Sequence, residues 1–208
     1  MTNAPQNAKA SRAVTILVHG RNETPEKMLA VAERFSLPDM TFVTVTAPGG
    51  SWYPESFLAP LEKNQPHLDN AIATLNQMVR DLEAKGHARS QIALLGFSQG
   101  ACLACEAMYR AGGAWGALIA FTGGLIGPPE MKWSASNEEK RSLAETPIFL
   151  GTSDVDAWVP LSRVQQTAAA FEQRGARVEL TVYPNLEHLV SDEEIAAARP
   201  LLAALLES

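Results

Sequence analysis

The chain has 208 residues, of which 46% are hydrophobic, so it can bury one sizeable core but is short for two large domains. Its formal net charge of −6 and isoelectric point near 5.3 argue against a protein that binds nucleic acid through a basic face. We therefore expect small molecules, and no nucleic acid, as partners, and we leave a homodimer open.

The first twelve residues are polar and small. They contain no apolar stretch of the kind that a secretory signal requires, and no later segment approaches the length of a membrane span. We therefore expect a flexible leader at residues 1–12, a single domain at residues 13–208, no membrane span and a cytoplasmic location.

Strand and helix patterns alternate along nearly the whole chain. Runs rich in β-branched and apolar residues predict strands at residues 13–18, 40–46, 92–96, 114–121, 148–151 and 178–183. Apolar spacing of three and four residues, with capping patterns, predicts helices after Thr24, at residues 68–85 and 99–110, after Pro160, and from Ser191 to Leu205. This alternation predicts an α/β fold with a mostly parallel sheet covered by helices on both faces.

Residues 47–66 form the least regular segment, with four prolines and several aromatic residues. Trp52 and Phe57 of this segment, together with Trp158 of a later loop, lie on loops expected near the carboxyl edge of the sheet. We therefore consider these three residues candidates for the substrate pocket. The alternative is that the loop aromatics only cover the core.

The most specific signal is a G-x-S-x-G pattern at residues 96–100, centred on Ser98. It lies between a predicted strand and a predicted helix, where a serine on a tight turn exposes its hydroxyl. The flanking glycines leave room for neighbouring backbone at such a turn. The pattern therefore predicts Ser98 as the nucleophile of a serine hydrolase with the α/β-hydrolase fold.

A serine hydroxyl needs a base to take its proton and a carboxylate to orient that base. His188 is the only histidine after Ser98, and the chain order Ser, Asp, His makes it the predicted base. The loop after the fifth predicted strand offers both Asp154 and Asp156 as the carboxylate. We favour Asp156, and the other aspartate would then cap or brace the loop.

The negative charge that develops on the substrate carbonyl oxygen requires hydrogen-bond donors, which form an oxyanion hole. We expect two backbone N–H groups to be these donors. One belongs to Gln99, at the start of a helix, and the other to Arg21, just after the first strand. His19, which precedes Arg21 by two residues, is interpreted as structural.

Two cysteines, Cys102 and Cys105, have a C-x-x-C spacing, but no second ligand pair is spaced for a zinc site. Both fall within a predicted helix, among alanine and leucine, and are interpreted as small packing residues. We expect no metal.

Four features together carry a family resemblance: V-H-G-R at residues 18–21, G-F-S-Q-G at residues 96–100, the aspartates followed by Val159-Pro160, and His188 before the last helix. With these motifs, from about residue 14 to the C-terminus, the chain resembles the phospholipase/carboxylesterase family, which includes acyl-protein thioesterases.

This resemblance implies a serine carboxylesterase that needs no cofactor, cleaves acyl esters or thioesters and has no large lid domain. It also supports the triad and the oxyanion donors: Ser98, Asp156 and His188, with Arg21 and Gln99.

The predicted function is hydrolysis of small-molecule acyl esters through an acyl-enzyme. An acyl-protein thioesterase or lysophospholipase is the alternative within the same chemistry. A catalytically silent binding module on a hydrolase fold is the alternative from another class.

Overall fold

Residues 13–133, 142–143 and 145–207 are described by the structure, which is a computed structural model. The predicted leader at residues 1–12 lies outside this part of the chain. Within it, six strands form one sheet: β1 (Val14–Val18), β2 (Thr41–Val45), β3 (Ile92–Phe97), β4 (Ala117–Phe121), β5 (Pro147–Ser153) and β6 (Arg177–Tyr183). All neighbouring strands are parallel, in the order β2-β1-β3-β4-β5-β6.

In the described part of the chain, five α-helices connect or follow the strands: α1 (Pro25–Glu33), α2 (His67–Ala84), α3 (Gln99–Ala111), α4 (Leu161–Glu172) and α5 (Asp192–Leu206). Short 3-10 turns lie at Pro48–Gly50, Leu61–Asn64 and Arg89–Gln91. The capping box predicted at the start of the last helix is present, because Glu194 N donates to Ser191 Oγ and Ser191 N donates to a Glu194 carboxylate oxygen.

Helices cover both faces of the sheet. Apolar residues of α2, α3 and α4 pack into a core on one face, and those of α1 and α5 pack into a core on the other. Every residue of β1, β3 and β4 is buried, which explains why these strands are apolar throughout instead of alternating. The predicted α/β-hydrolase architecture is confirmed, and the described residues contain no large lid domain separate from these layers.

Two strand boundaries differ from the predicted ones. β4 begins at Ala117 instead of residue 114, because the Trp115 N–H donates to the Thr146 hydroxyl (3.1 Å) instead of to a neighbouring strand and Gly116 forms a bend. β5 runs on to Ser153, which pairs with Tyr183 of β6. The longer pairing brings the loops that follow β5 and β6 together at one edge of the sheet.

The chain order reverses around β1, whose neighbours in the sheet are β2 on one side and β3 on the other. The chain connections after β1 and after β3 leave in opposite directions, which opens a crevice at the carboxyl ends of these two strands. Ligands bind in such a crevice in open α/β sheets. Arg21 follows β1 and Ser98 follows β3, so both lie at this crevice. Among the described helices, none is both long enough and apolar enough to cross a membrane.

Candidate active site

Ser98 occupies the sharp turn between β3 and α3. Its φ of 54° and ψ of −121° are strained for a residue with a side chain, as is typical of a serine on a strand-to-helix elbow. A Cβ atom on Gly100 would lie 2.1 Å from the Val18 carbonyl oxygen, and one on Gly96 would lie 2.5 Å from the Gly100 carbonyl oxygen. The two glycines of the motif are therefore required by close backbone contacts around the serine.

Three side chains from different strand ends form one hydrogen-bonded chain. Ser98 Oγ lies 2.8 Å from His188 Nε2, and His188 Nδ1 lies 2.6 Å from Asp156 Oδ2. An ionised carboxylate can only accept, so Nδ1 carries the ring hydrogen and Nε2 accepts from the Ser98 hydroxyl. This order of contacts is the one that a Ser-His-Asp mechanism requires.

The carboxylate of Asp156 is held in place by more than the histidine. Its other oxygen, Oδ1, accepts hydrogen bonds from the backbone N–H groups of Trp158 (2.8 Å) and Val159 (2.7 Å). Its side chain is fully buried, whereas 23% of the His188 side chain is exposed. The site therefore places a fixed, desolvated carboxylate behind a histidine that is open to the serine.

Asp154 makes a different contact. Its Oδ1 accepts a hydrogen bond from the backbone N–H of Asn185 (2.8 Å), in the loop that carries His188. Of the two aspartates that the sequence left open, Asp156 contacts the histidine and Asp154 connects the two loops.

His188 also packs against the second residue of the serine motif. The rings of His188 and Phe97 lie 5.0 Å apart between centroids. Ser98 does not use its side chain to cap α3, so its hydroxyl is available to the histidine and the first N–H groups of the helix are not satisfied by it.

A cavity of about 500 Å³ opens beside the serine. Its wall includes the hydrogen-bonded serine and histidine and most of the predicted pocket and oxyanion residues: Arg21, Phe57, Ser98, Gln99, Trp158 and His188. The remaining lining residues are Tyr53, Pro54, Glu55, Ser56, Cys102 and Val159.

Trp52, the third aromatic predicted for the pocket, lies elsewhere. It is 3% exposed and is not among the cavity residues. Its indole N–H donates to the His19 carbonyl oxygen (2.8 Å), which turns the ring into the core instead of towards the cavity. For Trp52 the structure therefore corrects the prediction, in favour of the alternative that loop aromatics cover the core.

Both nitrogens of the His19 ring form hydrogen bonds to backbone groups, as its structural interpretation requires. Its Nδ1 donates to the Gly20 carbonyl oxygen (2.8 Å), and its Nε2 accepts from the Ala47 N–H (3.0 Å). The ring is fully buried and joins the loop after β1 to the loop after β2.

Cys102 lies one helical turn after Ser98 and forms part of the cavity wall. Burial raises the pKa of the Cys102 thiol to about 12 and that of Cys105 well above its usual range. Both thiols are therefore protonated at neutral pH, and neither competes with Ser98 as a nucleophile.

The side chains of Arg21 and Gln99 have contacts that motif analysis did not predict. The Arg21 guanidinium donates to the carbonyl oxygens of Tyr53, Pro54 and Glu55, and Gln99 Nε2 donates to the Tyr53 carbonyl oxygen. Because their acceptors are backbone atoms of an irregular loop, no residue type in the sequence signals these bonds.

Comparison with known proteins identifies the family. A family model described as Phospholipase/Carboxylesterase matches residues 4–206. The crystal structure of a phospholipase/carboxylesterase from Dyadobacter fermentans superposes with a TM-score of 0.86 at 39% sequence identity, over 94% of this chain and 91% of that one.

Two further relatives have more distant sequences. Acyl-protein thioesterase 1 of Saccharomyces cerevisiae is 28% identical over 171 residues, which cover 77% of this chain and 73% of that protein. Esterase YpfH of Escherichia coli strain K12 is 24% identical over 200 residues, which cover 91% and 82%. The chain therefore belongs to the phospholipase/carboxylesterase family of α/β-hydrolases, and it is a serine hydrolase that acts on esters or thioesters.

Proposed function

We propose that this protein is a serine carboxylesterase that hydrolyses acyl esters of small molecules, with Ser98 as nucleophile, His188 as base and Asp156 as the orienting carboxylate. The observation that carries the proposal is the hydrogen-bonded chain from Ser98 Oγ through His188 to Asp156, with distances of 2.8 and 2.6 Å, beside a cavity.

In the first half of the reaction, Ser98 Oγ attacks the carbonyl carbon while His188 Nε2 takes its proton. The imidazolium that forms is stabilised by Asp156, whose carboxylate stays ionised. The tetrahedral intermediate then collapses, the C–O bond to the alcohol breaks, and His188 returns the proton to the leaving alcohol. The product of this half is an acyl ester of Ser98.

In the second half, a water molecule replaces the alcohol. His188 takes a proton from the water as its oxygen attacks the acyl carbon, and then gives that proton to Ser98 Oγ as the ester bond breaks. The acid leaves and the serine is restored.

The oxyanion of each tetrahedral intermediate would bind the backbone N–H groups of Gln99 and Arg21. Support for Gln99 comes from its place at the first position of α3, where a helix has unsatisfied N–H groups and a positive dipole end. Support for Arg21 comes from its place in the loop after β1, which forms the other side of the crevice.

The size and walls of the cavity support a small substrate. Phe57, Trp158 and Val159 supply apolar surface for the acyl or alcohol group, and 72% of Trp158 is exposed at the rim. Thioesters are the second candidate substrate class, because the Saccharomyces cerevisiae relative is named an acyl-protein thioesterase.

A cytoplasmic location and a single domain at residues 13–208 stay predictions.

The test compares wild type, Ser98→Ala and the control Ser162→Ala, which changes an exposed serine on α4. We expect the wild type and the control to release p-nitrophenol from acetate, butyrate and octanoate esters and to react with a fluorophosphonate. Ser98→Ala should lose at least about 10³-fold in kcat and all labelling. Matched acyl thioesters separate the two substrate classes, and failure of the folded wild type to turn over or label favours the binding module.

A further inference from the structure

Residues 51–56 belong to no helix or strand, and residues 53–56 of this segment line one side of the cavity; we call residues 51–56 the wall loop. Three consecutive carbonyl oxygens of this loop converge on the Arg21 guanidinium. Nη1 donates to the Pro54 oxygen (2.6 Å), and Nη2 donates to those of Tyr53 (3.0 Å) and Glu55 (2.7 Å). The loop is therefore folded around one cation that comes from the end of β1.

A guanidinium suits this arrangement for two reasons. Its donors lie in a rigid planar fork, so that one side chain can bond several acceptors at once, whereas an ammonium acts as a single point charge. Its positive charge also offsets the repulsion among carbonyl dipoles that point towards the same place. Without it, the three carbonyl groups are expected to turn apart and the loop to open.

The Tyr53 carbonyl oxygen also accepts from two other side chains, one of which is Ser51 Oγ (2.8 Å) within the wall loop. Gln99 Nε2 donates to it (2.8 Å), and Gln99 Oε1 accepts from the Trp52 N–H (3.0 Å). The Tyr53 oxygen thus bridges the side chains of Arg21 and Gln99, which come from the ends of different strands. These are the same two residues whose backbone N–H groups serve as oxyanion donors in the proposed function.

We propose that the Arg21 guanidinium is a positioning group that fixes the spacing of the two oxyanion donors through the shared Tyr53 carbonyl and holds the wall loop against the cavity. It does not touch the reacting atoms. The inference rests on the proposed function, because its main readout is ester hydrolysis. It adds to that function a role for the side chain of Arg21, which is separate from the role of its N–H group.

The test uses Arg21→Ala, Arg21→Lys and the control Arg80→Ala. Arg80 is an exposed arginine on α2 whose guanidinium donates to Gln77 Oε1 of the same helix. We expect Arg21→Ala to lose at least about tenfold in kcat for p-nitrophenyl butyrate, because small displacements of catalytic donors are costly. KM should change less than kcat, and fluorophosphonate inactivation should slow in parallel, since the phosphonyl oxygen occupies the same hole.

Chemical rescue separates positioning from a general structural effect. Millimolar guanidinium chloride should restore part of the kcat of Arg21→Ala, whereas sodium chloride at equal ionic strength should not, and neither should change Arg80→Ala. Arg21→Lys should remain impaired, because it keeps the charge but loses the fork. Hydrogen exchange should show faster exchange at the Trp52 and Glu55 N–H groups in both Arg21 variants.

Two results would overturn the inference. One is an Arg21→Ala variant whose kcat and inactivation rate equal those of Arg80→Ala, and the other is full activity in Arg21→Lys. If Arg21→Ala does not fold, Arg21→Lys and its hydrogen exchange decide the matter. A failure of the proposed function looks different, because then the wild type would be inactive or Ser98→Ala would be active.

Discussion

The two sides of the cavity are built in different ways. The catalytic side, named for the proposed triad, carries Ser98 directly after β3, and Asp156 and His188 in the loops that follow β5 and β6. Parallel strands end at the same edge of a sheet, so the hydrogen-bonded backbone of the sheet already brings these loops together. The wall loop has no such support, and side chains from other elements hold it.

Asn64 shows this dependence most clearly. It is fully buried, its Oδ1 accepts from the Glu55 N–H (2.8 Å), and its Nδ2 donates to the Ser56 carbonyl oxygen (2.9 Å). On the catalytic side, the comparable bond from the Asn185 N–H to Asp154 only adds to strands that are already paired. We therefore expect that loss of one side chain on the catalytic side lowers the rate of the reaction. Loss of one side chain that holds the wall loop should instead lower the stability of the protein or change the conformation of the loop.

The largest expected effect separates the two aspartates of the catalytic side. Asp156→Asn should lower kcat by roughly 10⁴-fold, because an amide cannot hold the histidine tautomer or stabilise the imidazolium. Asp154→Asn, the matched control, should stay within about tenfold of wild type, since its contact is to backbone. Steady-state hydrolysis of p-nitrophenyl butyrate measures both, and the reverse order of effects would move the orienting role to Asp154.

Removal of Asn64 tests the wall loop. Asn64→Ala should lower the free energy of unfolding by about 2 kcal/mol, because the wall loop loses two hydrogen bonds to a fully buried side chain. Asn70→Ala, at an exposed position on α2, should change it by less than about 0.5 kcal/mol. Urea denaturation measures the difference, and equal values for the two variants would mean that the loop does not depend on side chains.

Trp158 and Trp52 test which aromatic residues of the loops contact the substrate. Trp158→Ala should lower kcat/KM for octanoate esters about tenfold more than for acetate esters, since it removes apolar surface that a longer chain would cover. Trp52→Phe should leave that ratio unchanged and cost about 1 kcal/mol of stability, because it loses only the bond to the His19 carbonyl. A shift of chain preference in Trp52→Phe would return that residue to the pocket.

The smallest expected effect concerns Glu194, which lies buried just after the loop that carries His188. Burial raises the pKa of its carboxyl, one of whose oxygens, Oε1, makes no hydrogen bond to any residue that the structure describes. The folded chain therefore holds this proton to higher pH than the unfolded chain, and stability from this group is lost as pH rises through the folded pKa.

Glu194→Gln removes this titration. The unfolding free energy of the variant relative to wild type should rise between about pH 4 and neutrality, by less than about 1 kcal/mol. Urea denaturation at several pH values measures it. A difference that is constant with pH would show that Glu194 ionises alike in both states.

Much of the catalytic side could be predicted from residues alone. The G-x-S-x-G pattern, its flanking strand and helix, and the single downstream histidine depend on local sequence and chain order. The sequence favoured Asp156 but left Asp154 open, because the two aspartates are two positions apart on one irregular loop. The orientation of Trp52 towards the core could not be predicted either, because its indole N–H donates to a carbonyl group 33 residues earlier in the chain.

Periodicity, capping and motifs within short windows are enough to predict the strands, the helices and the order of the chemical groups. Which carboxylate faces the histidine, and how the wall loop is held, depend on contacts between distant parts of the chain. Both features depend on hydrogen bonds from side chains to backbone carbonyl and N–H groups. Every residue carries a backbone carbonyl group, so the sequence does not show which of these groups a distant arginine or asparagine side chain will bind.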